Sequence, residues 1–282
     1  MADPALPETP AAPTSRAGRN LPAAIAAGVV LAGLVLLTLF TWSWLFAVLG
    51  GAAILIGINE LDQAFTAVGT RLSRTPLYAG AVACTVGAYL GGPLWLAVCF
   101  GATVLLVFFW RLRKGTEHYV RDTSASLLVA AYLPLMVGFA MLTLAATDGP
   151  QRIVVFILLT IGSDIGGYAA GVLFGKHPMA PQISPKKSWE GFAGSLLVQA
   201  ALGTWLFVWL LDGQWWMGLI SGVVLSITAT AGDFVESAIK RDIGIKDLGT
   251  IIPGHGGLMD RLDSLIPNAF TSWALFTLFL GS

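Results

Sequence analysis

Residues 215–281 read WWMGLISGVVLSITATAGDFVESAIKRDIGIKDLGTIIPGHGGLMDRLDSLIPNAFTSWALFTLFLG: an apolar run, a dense polar window from Asp233 to Ser264, and a second apolar run. A bilayer crossing needs about 20 mostly apolar residues at a rise of about 1.5 Å each. The runs near 215–235 and 265–281 meet that length, so the window between them is held at a membrane edge. Working outward, the same test predicts spans near 21–40 and 43–60, separated by the aromatic, interfacial TWSW at 41–44. Two more fill 76–111, divided at the Gly91-Gly92-Pro93 turn, and others fall near 123–146, 152–174 and 190–211. The predicted fold is an all-α polytopic integral membrane protein with about nine transmembrane helices.

Composition agrees. The chain has 282 residues, 56% hydrophobic and 11% charged, whereas a soluble domain carries about 25% charged residues. The formal net charge is zero, which gives no case for a nucleic-acid partner. Cys84 and Cys99 lie in apolar segments without CxxC spacing and read as small buried hydrophobes. Residues 1–20, rich in Pro and Ala, read as a disordered tail. The first apolar stretch lacks a convincing cleavage site and reads as a retained span. Three regions follow: the tail 1–20, N-terminal transmembrane helices 21–146, and a C-terminal transmembrane catalytic region 147–282.

Charge sets the expected orientation. With the N-terminus inside, 15 of the 16 Lys and Arg residues fall in cytoplasmic segments, Arg152 being the exception. That places the loop 175–189 and the polar window on the cytoplasmic side of the cell inner (plasma) membrane, where nucleotides are.

Three constellations carry chemistry. Asp164 lies mid-span, at a cost of about 2.5–3.5 kcal/mol on the insertion scale, so it should face the protein interior or a wet cavity. Gly167, Gly171 and Gly175 on the same segment allow close helix approach, and Tyr168 lies one turn below Asp164. The loop GKHPMAPQISPKKSWEG fails as a P-loop, because His177 follows Lys176 and no strand precedes it. Ser184, Lys186, Lys187 and Ser188 at its end nonetheless bring hydroxyls, ammonium groups and a helix start together as a phosphate site. A plain basic loop touching anionic lipid is the bland alternative. In the window, Asp233 with Glu236, and Asp260 with Asp263, stand at i,i+3, which turns each pair one way. Hard carboxylate oxygens of this kind suit Mg²⁺ beside substrate phosphates. Lys240, Arg241, Lys246 and Arg261 supply positive charge, and Pro253-Gly254-His255-Gly256-Gly257 lets backbone N–H groups approach an anion.

The window resembles the signature of the phosphatidate cytidylyltransferases, also called CDP-diacylglycerol synthases. The matching residues are Ser237-Ala-Ile-Lys240-Arg241, Lys246-Asp247, Gly249, Pro253-Gly-His255-Gly-Gly257 and Asp260-Arg261-Leu-Asp263-Ser264. Upstream, Ser163-Asp164-Ile-Gly-Gly-Tyr168, Phe174-Gly-Lys176 and Ser184-Pro-Lys-Lys187-Ser-Trp-Glu-Gly191 resemble further family motifs in the same order. The likeness covers about 160–265; the first five spans match only in being hydrophobic. It implies transfer of a cytidylyl group from CTP to phosphatidate in the bilayer, dependent on Mg²⁺, with a second, monovalent cation and a homodimer left open. It also implies Asp233 and Asp260 as metal ligands, with Asp263 and Asp164 as supporting acids. Lys240, Arg241, Lys246, Arg261 and His255 join them as catalytic candidates, and Ser184, Lys186, Lys187, Ser188, Gly256 and Gly257 bind substrate.

Rival readings are weaker. A CTP-dependent lipid kinase would release CDP instead of pyrophosphate. CDP-alcohol phosphotransferases carry a D-G-x2-A-R-x8-G-x3-D-x3-D pattern that is absent here. A transporter would spread polar residues over several spans, whereas these concentrate on one side.

Overall fold

In the computed structural model, which describes residues 21–245, 247–249 and 257–281, helix follows helix along the chain. The order is α1 (Leu21–Thr41), α2 (Ser43–Ala67), α3 (Arg74–Leu112), α4 (Tyr119–Ala130), a π-helical turn (Ala131–Leu135), α5 (Met136–Leu144) and α6 (Gly149–Phe174). Strands β1 (Pro178–Ala180) and β2 (Ser184–Ser188) then precede α7 (Trp189–Leu210), α8 (Trp215–Ile243), α9 (Met259–Leu262) and α10 (Leu265–Leu280). Six stretches are long and apolar enough to cross a bilayer: α2, α3, the rod Tyr119–Leu144, α6, α7 and α8. This is an all-α multi-pass membrane protein. Thr38–Ser282 form one compact unit, which holds the whole candidate site, and residues up to Leu37 belong to another.

With 39 residues, α3 would extend about 58 Å if straight, nearly twice the hydrocarbon thickness. Instead it doubles back. Gly92 has φ 76° and ψ −163°, and a Cβ built on Gly80 would lie 2.4 Å from the Thr103 side chain. One built on Gly87 would lie 2.8 Å from Cys99 Sγ. Residues so far apart in sequence meet only across an antiparallel hairpin. Glycine supplies the positive φ at low cost, and Pro93 opens the second arm where no N–H is needed. Cys84 is buried in the hairpin and both cysteines are free thiols, as their apolar setting predicts.

Helices α6, α7 and α8 pack almost backbone to backbone. A Cβ on Gly166 would sit 2.8 Å from the Gly194 carbonyl oxygen, and one on Gly218 only 2.1 Å from that of Gly203. Small residues permit this approach, and polar side chains tie it in a medium without competing water. Ser195 Oγ donates to the Ser163 carbonyl at 2.7 Å, and Gln199 Nε2 to that of Leu159 at 2.8 Å. Asn268 of α10 donates to Thr160 Oγ1 at 3.0 Å and accepts from Thr228 of α8. Gly218→Ala is expected to force α7 and α8 apart against backbone, at a cost of about 1–3 kcal/mol. A lower melting temperature of the detergent-solubilised protein is the readout.

Two boundaries differ from the sequence reading. Residues 175–189 are not simply a loop, since β1 and β2 pair antiparallel within them, with Pro178 opposite Ser188 and Ala180 opposite Ser184. Ser188 then caps α7, its Oγ accepting from Gly191 N at 3.1 Å. Helix α8 runs eight residues past the predicted edge near 235, to Ile243, and ends on Gly244 at φ 78°. Hydropathy marks where lipid ends, whereas the Glu236–Lys240 i,i+4 pair carries the helix onward.

The elements sort to two ends. The Gly92-Pro93 tip, Ala145, Ala146, Arg152 and Trp273 line one cavity, and Arg152 donates to the Gly281 carbonyl at 2.7 Å. At the opposite end gather the close of α2, α6 and α8 with the starts of α7, α9 and α10.

Candidate active site

At that second end, a cavity of about 340 Å³ opens between α6, the β-hairpin, α7 and α8. Asp164 and Tyr168 line it from α6, Ser184, Lys186, Lys187 and Ser188 from β2, and Asp233 from α8. Asp164 is solvent-accessible through this cavity, which is how a mid-span carboxylate is tolerated. Tyr168 is exposed at 76% and lines the cavity, and none of the described hydrogen bonds joins it to Asp164. Lys187 Nζ donates to Asp233 Oδ2 and lies 5.0 Å from the Phe234 ring centre. Ser264 Oγ donates to Asp233 Oδ1, and Ser264 N donates to Asp263 Oδ1 at 2.8 Å. The start of α10 can lie this close because residue 232 is glycine: a Cβ there would fall 2.3 Å from Pro267 Cγ and 2.7 Å from the Asp263 carbonyl oxygen.

A second cluster surrounds Lys240. Its Nζ donates to Glu236 Oε1 and to Asp260 Oδ1, both at 2.8 Å. Asp260 Oδ2 accepts from Gly257 N at 2.9 Å and Leu248 N at 3.1 Å, so this carboxylate gathers both banks of the polar window. Burial would raise the Asp260 pKa, but Lys240 and the two N–H groups outweigh it and hold Asp260 below the usual carboxylate range. Beneath it lies Glu60 of α2, 2% exposed, accepting from Leu258 N and Met259 N at 2.9 Å each. A Cβ on Gly249 would fall 2.5 Å from Glu60 Oε1, so that position requires glycine for close approach.

Burial, and then the neighbouring Asp233 and Asp164 carboxylates, push the Asp263 pKa up to about 7, against the pull of the Ser264 N–H and Lys240. The i,i+3 pairs do not act as pairs. Asp233 faces Lys187 and Ser264 while Glu236 faces Lys240, and Asp260 faces Lys240 while Asp263 turns to the start of α10. Asp263 keeps helical backbone just past α9, at φ −51° and ψ −47°, so the two aspartates differ in their partners and not in local backbone. No cluster of three or more Asp, Glu, His or Cys poised to hold a metal occurs among the described residues.

The remaining predicted residues scatter. Arg241 is exposed and reaches the Ile245 carbonyl at 3.5 Å, at the end of α8. Arg261 is exposed on α9, and Lys186 is exposed at the cavity. Lys246, His255 and Gly256 lie outside the described residues, whereas Gly257 holds Asp260.

A family model described as the cytidylyltransferase family matches residues 22–279. The chain belongs to the cytidylyltransferase family. A phosphatidate cytidylyltransferase of Mycobacterium leprae (strain TN) is 42% identical, the alignment covering 94% of this chain and 90% of that protein. Another, from Mycobacterium bovis, is 38% identical over 96% of this chain and 93% of its own. A third, from Helicobacter pylori, is 32% identical over 82% and 81%. Family membership thus extends across the first five spans, where sequence motifs had shown only hydrophobicity. Within those spans Glu60 of α2 holds the start of α9 beside Asp260. Glu60 lies 198 residues from the N–H it holds on Leu258, a distance that no local pattern reveals.

Proposed function

We infer that this chain transfers the cytidylyl group of CTP to phosphatidate, releasing pyrophosphate and leaving CDP-diacylglycerol in the membrane. The observation that supports it most is the pairing of Asp233 with Lys187 and of Asp260 with Lys240 at one end of the bundle, within the signature residues. Each carboxylate keeps an ammonium on one oxygen, the place a metal cation would take, and hard carboxylate donors suit Mg²⁺. Asp233 and Asp260 would hold that ion, with Asp263 and Asp164 beside it. When bound, Mg²⁺ supplies Lewis-acid neutralisation of polyphosphate charge. Lys187 and Lys240, released from their carboxylates, turn to phosphate oxygens. Lys186 and the Ser184 and Ser188 hydroxyls extend the phosphate-binding wall of the cavity.

The lipid phosphate needs no strong base, since a phosphate monoester has a second pKa near 6. Its oxygen attacks the α-phosphorus of CTP in line and pyrophosphate leaves, so the protein's task is positioning and charge neutralisation. Counting α3 as two arms and adding α1 and α10 to the other stretches gives nine crossings. The charge bias supports an N-terminus and a site on the cytoplasmic face of the inner membrane, in contact with soluble CTP.

Purified protein incubated with radiolabelled CTP, phosphatidate and Mg²⁺ should carry cytidine label into the organic phase. Label confined to the aqueous phase, or CDP as the product, overturns the assignment. A pH effect follows from Asp263. Below about 7 its carboxyl keeps a proton, which a divalent cation must displace, so apparent Mg²⁺ affinity should strengthen as pH rises toward 7 and level off above it. Mg²⁺ titrations of activity between pH 6 and 8 check the sign.

A further inference from the structure

His177 and Glu190 flank the β1–β2 hairpin, and the cytidylyl-transfer reading leaves both unused. Glu190 is the second residue of α7, and its side chain reaches back to the foot of the hairpin. Its Oε2 accepts from Lys176 N at 3.1 Å and from His177 N at 3.2 Å, while Oε1 lies 2.6 Å from His177 Nδ1. Beside it, Trp189 N donates to the His177 carbonyl at 3.0 Å, and Pro178 pairs with Ser188. One half-buried carboxylate thus gathers three polar groups of the chain entering β1 and fastens them to the start of α7.

The hairpin needs such a fastening. Strand β1 has three residues and β2 five, and a two-stranded sheet is marginal in water on its own. Yet β2 carries Ser184, Lys186, Lys187 and Ser188 along the cavity wall. Among the described hydrogen bonds, those that tie the hairpin to the helices are the ones at its foot and the one from Lys187 to Asp233. Once Lys187 leaves Asp233 for a phosphate oxygen, the foot alone holds the strand. Glu190 stands three residues along the chain from Lys187, so slack at the foot passes directly to that ammonium. We propose that Glu190 is a positioning residue for nucleotidyl transfer: its carboxylate pins the foot of the hairpin, so that Lys186 and Lys187 stay at the cavity wall while substrate phosphate is bound. This rests on reading the site as a cytidylyl-transfer centre.

The test compares full-length wild type, Glu190→Ala and Glu190→Gln by hydrogen exchange, thermal melting and assay with CTP, phosphatidate and Mg²⁺. Exchange requires no reaction: Glu190→Ala should speed it across residues 176–188 while the helices and the melting temperature stay near wild type. Unchanged exchange in the hairpin overturns the proposal. In the assay, absence of wild-type turnover overturns the reading of the reaction, whereas wild-type turnover with both KM values unaffected in Glu190→Ala overturns only this proposal. Glu190→Ala is expected to raise the KM of CTP or of phosphatidate about tenfold with kcat changed less, because binding must then order the wall. Glu190→Gln should recover most of that loss, since its carbonyl oxygen can accept both N–H groups and its NH₂ can donate to His177 Nδ1. Equal losses in the two variants would mark a role of the charge itself and overturn positioning. A lower melting temperature and lower kcat with KM unchanged would mark a packing role and do the same.

Discussion

Asp233→Asn is expected to abolish CDP-diacylglycerol formation, by about 10²–10³-fold or more, while the purified protein keeps its melting temperature. The substitution preserves shape. Ser264 can still donate to the retained carbonyl oxygen, so the junction of α8 and α10 stays closed. What is lost is the anion that faces Lys187 from across the cavity. An uncharged amide neither holds Lys187 in register nor offers a divalent cation a hard, charged oxygen. The decisive measurement is kcat at saturating Mg²⁺ and CTP with parallel melting curves. Turnover within a few-fold of wild type, in a folded variant, would remove Asp233 from the proposed metal site.

Asp260 makes a useful contrast. It is bound by one ammonium and two backbone N–H groups, so replacing it disturbs loop and charge together. Its loss of activity would be as deep but less clean to interpret, which is why Asp233 is the sharper probe.

How much of this was legible in the sequence varies with the range of the interaction. Six membrane-length helices follow from hydropathy, and the α3 hairpin from Gly91-Gly92-Pro93, because both are local signals. Asp164, Lys187 and Asp233 were recognised as candidates from cost and motif, and the fold brings them to one cavity. Their partners were not legible. Periodicity places Asp260 and Asp263 on one face, yet each follows its own backbone donors, Gly257 and Leu248 N–H for the one and Ser264 N–H for the other. The extent of α8 was missed because polar residues at its end prolong a helix as readily as they end a span.

Glu60 is the largest case of a residue that only the fold reveals, and Glu60→Ala is expected to cost both structure and activity. Its two oxygens each accept one backbone N–H at the start of α9, and the side chain is buried. Alanine leaves both donors without a partner at about 1–3 kcal/mol each, and opens a void against Gly249 and Gly257. A loss of about 2–6 kcal/mol is expected, seen as a lower melting temperature. The same segment carries Asp260, so turnover should fall with it. Glu60→Gln separates the two effects, since its amide keeps one acceptor oxygen but turns an NH₂ group toward the second N–H. It should therefore lie between wild type and Glu60→Ala in both melting temperature and kcat. If instead Glu60→Ala retained wild-type turnover, the turn at 257–260 would hold its shape without Glu60, and this residue of α2 would have no part in building the site.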